Sequence, residues 1–403
     1  MRSKTKFWAG VVAFAFMIEN APVVHAQYGN AEAPVPRVKR RAARQQTAVA
    51  DDAETTARSR RESHETKPSR YLLTGADGPV ELLREEVTSY DELPFESACD
   101  LECPTFWEHR NNVWGEFLYL RPRGADVAYA TPVDGTLSTS VPVGPQAVAA
   151  FGYNAGFRIG GAWALDRSSS FTANYTWYQA SASDSVSLAG GGSFLRGDTV
   201  HPNTVNVATD SLDAQSAYDF KMQMIDANYK SLFWSGDDFA VNYVLGLRYA
   251  QIQQQFDATY SILGTTSVDT NVNFNGVGPR FGLEGERLIG ERGLMVYSKG
   301  AVNFLFGSNS ADYIQTNVFS GVQAQTALRE TRVVTVPEFE LGVGWQSANG
   351  SFRITGGYYL AAWFNMMTTP EYLSTVREVP NSFERQAKTM TLDGLNLRAE
   401  WRF

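Results

Sequence analysis

From Val113 onward the chain places apolar side chains on every second position. Phe239, Val241, Tyr243, Leu245, Leu247 and Tyr249 alternate with Ala240, Asn242, Val244, Gly246, Arg248 and Ala250, so one face is apolar and the other small or polar. A repeat of two places successive side chains on opposite faces of a pleated strand. Phe157, Ile159, Gly161, Trp163 and Leu165 repeat the pattern against Arg158, Gly160, Ala162 and Ala164. Phe339, Leu341, Val343 and Trp345 do so against Glu338, Glu340, Gly342 and Gly344. The segments at 170–180 and 350–365 read the same way.

The connections separate a membrane barrel from a soluble sandwich. Short turns are expected at Asp166–Ser169, Ser235–Asp237, Arg287–Arg292 and Gln346–Asn349, and long polar stretches at 123–150, 181–215, 261–271, 311–327 and 366–387. Strict alternation of short and long connections is what an outer-membrane barrel shows, with tight periplasmic turns and longer extracellular loops. The strands so delimited are 113–122, 151–165, 170–180, 216–234, 238–260, 272–286, 293–310, 328–345, 350–365 and 388–403. The expectation is therefore an all-β, transmembrane, antiparallel up-and-down barrel of ten strands, with both barrel ends in the periplasm. Within 216–234 the phase of Phe220, Met222 and Met224 differs from that of Ile225, Ala227 and Tyr229, which predicts a β-bulge near Met224.

Both ends of the chain fit that reading. Arg2, Lys4 and Lys6 precede an uncharged run from Phe7 to Ile18, and Val24-His25-Ala26 offers small residues at −3 and −1 for cleavage after Ala26. The run is too short for a membrane helix, which takes about 20 apolar residues. Residues 1–26 are read as a signal peptide, 27–112 as a polar, basic and mostly disordered periplasmic segment, and 113–403 as the barrel. The final strand alternates Leu395, Leu397, Ala399, Trp401 and Phe403 with Asn396, Arg398, Glu400 and Arg402 and stops on an aromatic. Leu395, Leu397, Trp401 and Phe403 thus form an assembly signal for the barrel-insertion machinery, facing outer-membrane lipids.

Mean hydropathy is −0.26, which looks soluble, but lipid-facing and lumen-facing residues cancel in such an average. Aromatic content of 13% and 34 glycines suit pleated walls, interfaces and tight turns. The acidic balance, −8 with pI near 5.2, excludes a nucleic-acid footprint. Between Arg37 and Arg61 basic residues dominate. Two readings stand there, a solvated linker and an arm drawn to anionic cell-wall polymer. Cys99 and Cys103 are spaced for a local disulfide or remain free thiols, and they are no zinc set. Pro79 to Tyr90 carries the pattern of a short helix.

No catalytic, cofactor or metal site is expected. Gly276-x-Gly278 is followed by Pro279 and no helix, so it is not a dinucleotide loop. Of four histidines, His25 leaves with the signal, His64 lies in the linker, His109 precedes the first strand and His201 sits in a long loop. The phase points Arg158, Asp226, Arg248, Arg280, Glu284, Lys299, Glu338, Glu340, Arg353, Arg398 and Glu400 into the lumen. These charges would tune ion selectivity in a small pore, or pair and fill the interior of a plugged structural or adhesive barrel.

Several stretches also resemble the Legionella-type major outer membrane protein family, with many members from planctomycete-like bacteria. Trp114-Gly115-Glu116-Phe117-Leu118-Tyr119-Leu120, followed by Tyr129-Ala130, looks like its opening strand. Gly246-Leu247-Arg248-Tyr249, Gly276-Val277-Gly278-Pro279-Arg280-Phe281-Gly282, Val336-Pro337-Glu338-Phe339-Glu340 and Gly356-Gly357-Tyr358 continue the likeness over about 113–403. The resemblance implies a pore-forming envelope protein without saying what passes through. The expected function is passive diffusion of small solutes or ions, with the plugged structural or adhesive barrel as the alternative.

Overall fold

The structure, a computed structural model, describes residues 105–403 apart from 138, 190, 191, 205–209, 263, 291 and 379–387. The signal peptide, the basic stretch, the helix expected at Pro79–Tyr90 and the pair Cys99 and Cys103 lie outside the described residues.

Ten antiparallel strands close into a barrel. They are β1 (Asn112–Arg123), β4 (Asn154–Asp166), β5 (Ser169–Ser187), β8 (Asp213–Ser235), β9 (Phe239–Ser261), β10 (Thr265–Ile289), β11 (Leu294–Asn317), β12 (Gly321–Gln346), β13 (Phe352–Met366) and β14 (Lys388–Arg402). Each pairs with its neighbour in chain order, and β14 pairs with β1 from Asn112↔Arg402 to Arg123↔Thr391 to close the cylinder. The long connections are not plain loops. β2 (Val127–Val133), β3 (Ala147–Ala149), β6 (Phe194–Gly197) and β7 (Asp210–Ser211) form a second sheet in the order β3-β2-β6-β7, and the stretch after β13 contains helix α1 (Thr369–Arg377).

Several strands run well past their predicted ends. β10 reaches back to Thr265, and β11 and β12 meet at a hairpin around Phe319, so much of 261–271 and 311–327 is strand. The reason lies in a change of face along each strand. On β9 the outward residues are Phe239, Val241, Tyr243, Leu245, Leu247 and Tyr249, and then Gln251, Gln253, Gln255 and Asp257. The inward residues change the other way, from Asn242 and Arg248 to Ile252, Phe256 and Tyr260. β10 changes at the same level, outward Asn271, Asn273 and Asn275 giving way to Val277, Phe281 and Leu283.

The barrel is therefore inside-out near its short turns and built like a soluble protein near its loops. On β9 the apolar outer stretch from Phe239 to Tyr249, at a strand rise of about 3.3 Å and a tilt of about 40°, is about 25 Å tall, the height of a membrane band. This also removes the expected bulge near Met224. The β8–β9 register runs unbroken from Asp213↔Ser261 to Leu232↔Asn242, and its shift falls between Leu232 and Trp234. Phe220, Met222 and Met224 point inward above the band, while Ile225 and Tyr229 point outward within it.

At the loop end the wall is tall on one side. Residues 321–334 of β12 lie beyond its ladder with β13, and β5 pairs with β8 as far as Ser187 although its ladder with β4 stops at Tyr178. The second sheet and α1 pack inside this tall wall. The Tyr260 hydroxyl donates to the Tyr129 carbonyl at 2.7 Å, and that of Tyr313 to the Thr199 carbonyl at 3.0 Å. Gln254 donates to the Met367 carbonyl at 3.2 Å, and its amide oxygen accepts from the Thr369 N–H at 3.1 Å. Tyr372, Leu373 and Val376 of α1 join Phe256, Phe274, Leu305 and Trp363 in one apolar core.

Candidate functional site

Below this core the lumen turns polar, because an inward side chain at band level has no lipid to meet and must satisfy itself across the cylinder. All eleven charged residues predicted to point inward line a single cavity of about 150 Å³. Ladder register sets the first layer of pairing. Asp226 lies directly opposite Arg248 on the β8–β9 ladder, and Lys299 lies opposite Glu284 on one side and Glu340 on the other. Glu116 lies between Arg158 and Arg398.

Bridges across the lumen form the second layer. Arg248, 1% exposed, holds Asp226 through two bonds of 2.5 and 2.7 Å and also donates to Glu338. Glu338 stands on β12, three strands away around the barrel, so this guanidinium spans the interior. Glu338 further accepts from Arg280 at 2.6 Å and from the Tyr359 hydroxyl at 2.9 Å. Arg280 is steadied by Asn303 at 2.9 Å, whose amide donates to the Val336 carbonyl at 2.8 Å.

A second chain of contacts runs from Thr176 through Arg158 to Glu116, at 3.0 and 3.1 Å. Asn396 then donates to Glu116 at 3.1 Å and to Glu340 at 2.9 Å, and Glu340 accepts from Lys299 at 2.9 Å. Arg158 also lies over the Tyr359 ring, 5.4 Å from its centre, which couples the two chains. Nearer the short turns Lys230 meets Glu284 at 2.7 Å, Arg353 meets Glu286 at 2.8 Å, and Glu400 takes Arg398 at 2.7 Å and Arg402 at 2.8 Å. Arg398 stacks over the Trp114 ring, 4.0 Å from its centre.

Close packing of the wall permits this. A Cβ at Gly342 would come within 2.7 Å of the Tyr297 ring, which lies across the paired glycines Gly342 and Gly357. Chemically, the site is a set of mutually neutralising charges with little spare capacity. Among the described residues no cluster of acids, histidines or cysteines is arranged to hold a metal.

Glu116, Asn396 and Tyr359 were missed from sequence. Glu116 had a signal, since it alternates with Gly115 and Phe117 on β1. The neutral partners carried none, because polar uncharged inward residues are unremarkable in a barrel. His109 was assigned to the polar segment, yet it lines the cavity too. His201 lies outside the band, with its backbone N–H on Gln315 at 2.9 Å.

The short stretches that carry the family likeness converge here, supplying Glu116, Arg248, Arg280, Glu338 and Glu340. The family model described as Legionella pneumophila major outer membrane protein precursor matches residues 106–403. The chain belongs to this family. As a major outer membrane protein it is a β-barrel of the outer membrane. No curated protein matches the chain. Among solved structures, the outer membrane protease OmpT from Escherichia coli is similar at 8% identity and TM-score 0.37, over 73% of this chain and 97% of that one. A Pseudomonas aeruginosa FadL homologue is similar at 8% identity and TM-score 0.23, over 76% and 94%. The Ralstonia pickettii toluene transporter TbuX is similar at 8% identity and TM-score 0.23, over 76% and 93%.

Proposed function

We propose that this major outer membrane protein is a closed barrel, a wall component of the outer membrane that is shut to passive flow of solutes. In this reading the loop end faces outside and the short turns and the N-terminal segment face the periplasm. The observation that carries the reading is Arg248, which ties Asp226 to Glu338 across the lumen with almost no exposure. The filled loop end acts in series with it.

The alternative is a small pore in which the same eleven residues tune passing ions. Ions need an open aqueous path past those charges, and a lumen ten strands wide is near the size that side chains fill. Planar-bilayer recording of refolded protein decides between them. The expected result is no stepwise current from the wild type. Stepwise current whose selectivity shifts when Glu340 is changed to Gln would establish the pore. The same proposal gives Phe403 to the insertion machinery, so Phe403→Ala should lower the amount of assembled barrel in outer-membrane fractions.

A further inference from the structure

Residues 105–111 enter the short-turn mouth before β1 begins. Phe106, Trp107, Glu108, His109 and Arg110 line the cavity there. Backbone ties hold this strap at several points. The His109 N–H donates to the Arg167 carbonyl at 2.9 Å, in the turn between β4 and β5, and Phe403 N–H donates to the Asn111 carbonyl at 2.9 Å. Asn111 Oδ1 accepts from the Ala164 N–H at 2.9 Å, and Glu108 pairs with Arg167 at 3.3 Å.

The deepest tie is the His109 ring. Nδ1 lies 2.8 Å from Ser170 Oγ on β5, and Nε2 lies 3.0 Å from Asn242 Oδ1 on β9. One neutral tautomer satisfies both contacts, with Nε2–H donating to Asn242 and Nδ1 accepting from the Ser170 hydroxyl. A second proton would leave the Ser170 contact intact, since a hydroxyl also accepts, but it would create a cation in cationic company. Lys230 of β8 and Arg402 of β14 bear on the ring, opposed by Glu284 of β10. Lys230 and Arg402 already have their carboxylates, Glu284 and Glu400. Other charges of this mouth are Glu108 and Arg110 of the strap, Asp166 and Arg167 in the β4–β5 turn, Asp238 and Arg287 beside the β8–β9 turn, Glu286 of β10 and Arg353 of β13. Asp166 is held by Ser168 and Ser169, Glu108 pairs with Arg167, Asp238 with Arg287 and Glu286 with Arg353.

We propose that residues 105–111 form a proton-released latch, which neutral His109 pins in the short-turn mouth and protonated His109 lets go, opening the cavity from that side to water and small polar solutes. Burial first, and then Lys230, hold the ring below the ordinary imidazole range. The docked strap thus binds fewer protons than the released one, whose histidine titrates near 6.5. Docking is at full strength above that pH, and weakens by up to tenfold per pH unit below it until the docked value is reached. The latch builds on the closed-barrel reading only in that the loop end stays shut while the opposite mouth opens.

The test is amide hydrogen exchange of residues 105–111 in the full chain in detergent micelles, expressed as protection relative to intrinsic rates. Protection should fall severalfold between pH 7.5 and pH 5.0 in the wild type. In His109→Gln, which keeps a donor and an acceptor but cannot titrate, it should not change with pH. An equal fall in both proteins, or none in the wild type, overturns the latch. Titration of the His109 imidazole by nitrogen NMR on the wild type needs no variant, and a midpoint at or above 6.5 overturns it as well. Covalent labelling of Ser170 by a fluorophosphonate would make the histidine a catalytic base and would also overturn it. Ion current at pH 7.5 would sink the closed-barrel reading and leave these outcomes to decide the latch by themselves.

Discussion

At the scale of single residues, Glu338 has the most to lose. It takes donors from Arg248, Arg280 and Tyr359 in a buried position, so neutralising it leaves Arg280 with Asn303 alone and takes from Arg248 one of its two carboxylates. Breaking one partner of a buried ionic set costs about 3–5 kcal/mol. Glu338→Gln is therefore expected to lower the temperature at which the barrel loses its heat-modifiable gel migration. Glu284→Gln, whose partner Lys230 is about one-fifth exposed, should lower it less. Equal effects would mean that the crossing contacts add nothing beyond those along the wall. Phase alone was enough to point these side chains inward. Neighbouring partners were only partly legible, since Asp226 stands nine residues before the turn at 235–237 and Arg248 eleven after it, and a register shift between Leu232 and Trp234 lies in between. The bond from Arg248 to Glu338 was not legible, because it joins strands that are not adjacent and depends on how the barrel staggers.

At the scale of elements, the informative feature is the level at which each strand swaps faces. A period-two reading finds strands wherever one face is apolar, but it cannot tell whether that face meets lipid or a core. That is why β8 looked bulged at Met224 and why β10, β11 and β12 were drawn short. The same ambiguity hid α1, whose Tyr372, Leu373 and Val376 are spaced for a helix face within a stretch that otherwise reads as polar loop. On β9 the level falls between Tyr249 and Gln251. Leu247→Arg puts a charge in the band, at a cost of about 2–4 kcal/mol near the midplane. Gln253→Arg, on the same face but above the band, should be neutral. Folding yield into lipid vesicles separates the two, and matched losses would move the membrane edge beyond Gln253.

For the whole molecule, the tall wall and its packed contents predict a direction. Phe319, 78% exposed at the β11–β12 hairpin, lies at the loop end, and Asn349 lies in a short turn at the other. With Cys99 and Cys103 changed to Ser, Phe319→Cys should react with an impermeant maleimide on intact cells, and Asn349→Cys should react only after lysis. The reverse result would turn the barrel over in the membrane.

The position of Glu116 bears on how such a molecule comes into being. Its carboxylate belongs to the first barrel strand, yet it takes a donor from Asn396 on the last, 280 positions away in the chain. Contacts of such long range form slowly, because the intervening chain must be ordered before they reward it. Until β14 docks on β1, the polar interior has an incomplete set of partners and an open seam to water. A nine-strand intermediate would thus hold inward charges whose partners on β14 are missing. Closure is then the step that makes the interior tolerable, and assembly into the membrane should proceed as one cooperative event with no long-lived, partly zipped form.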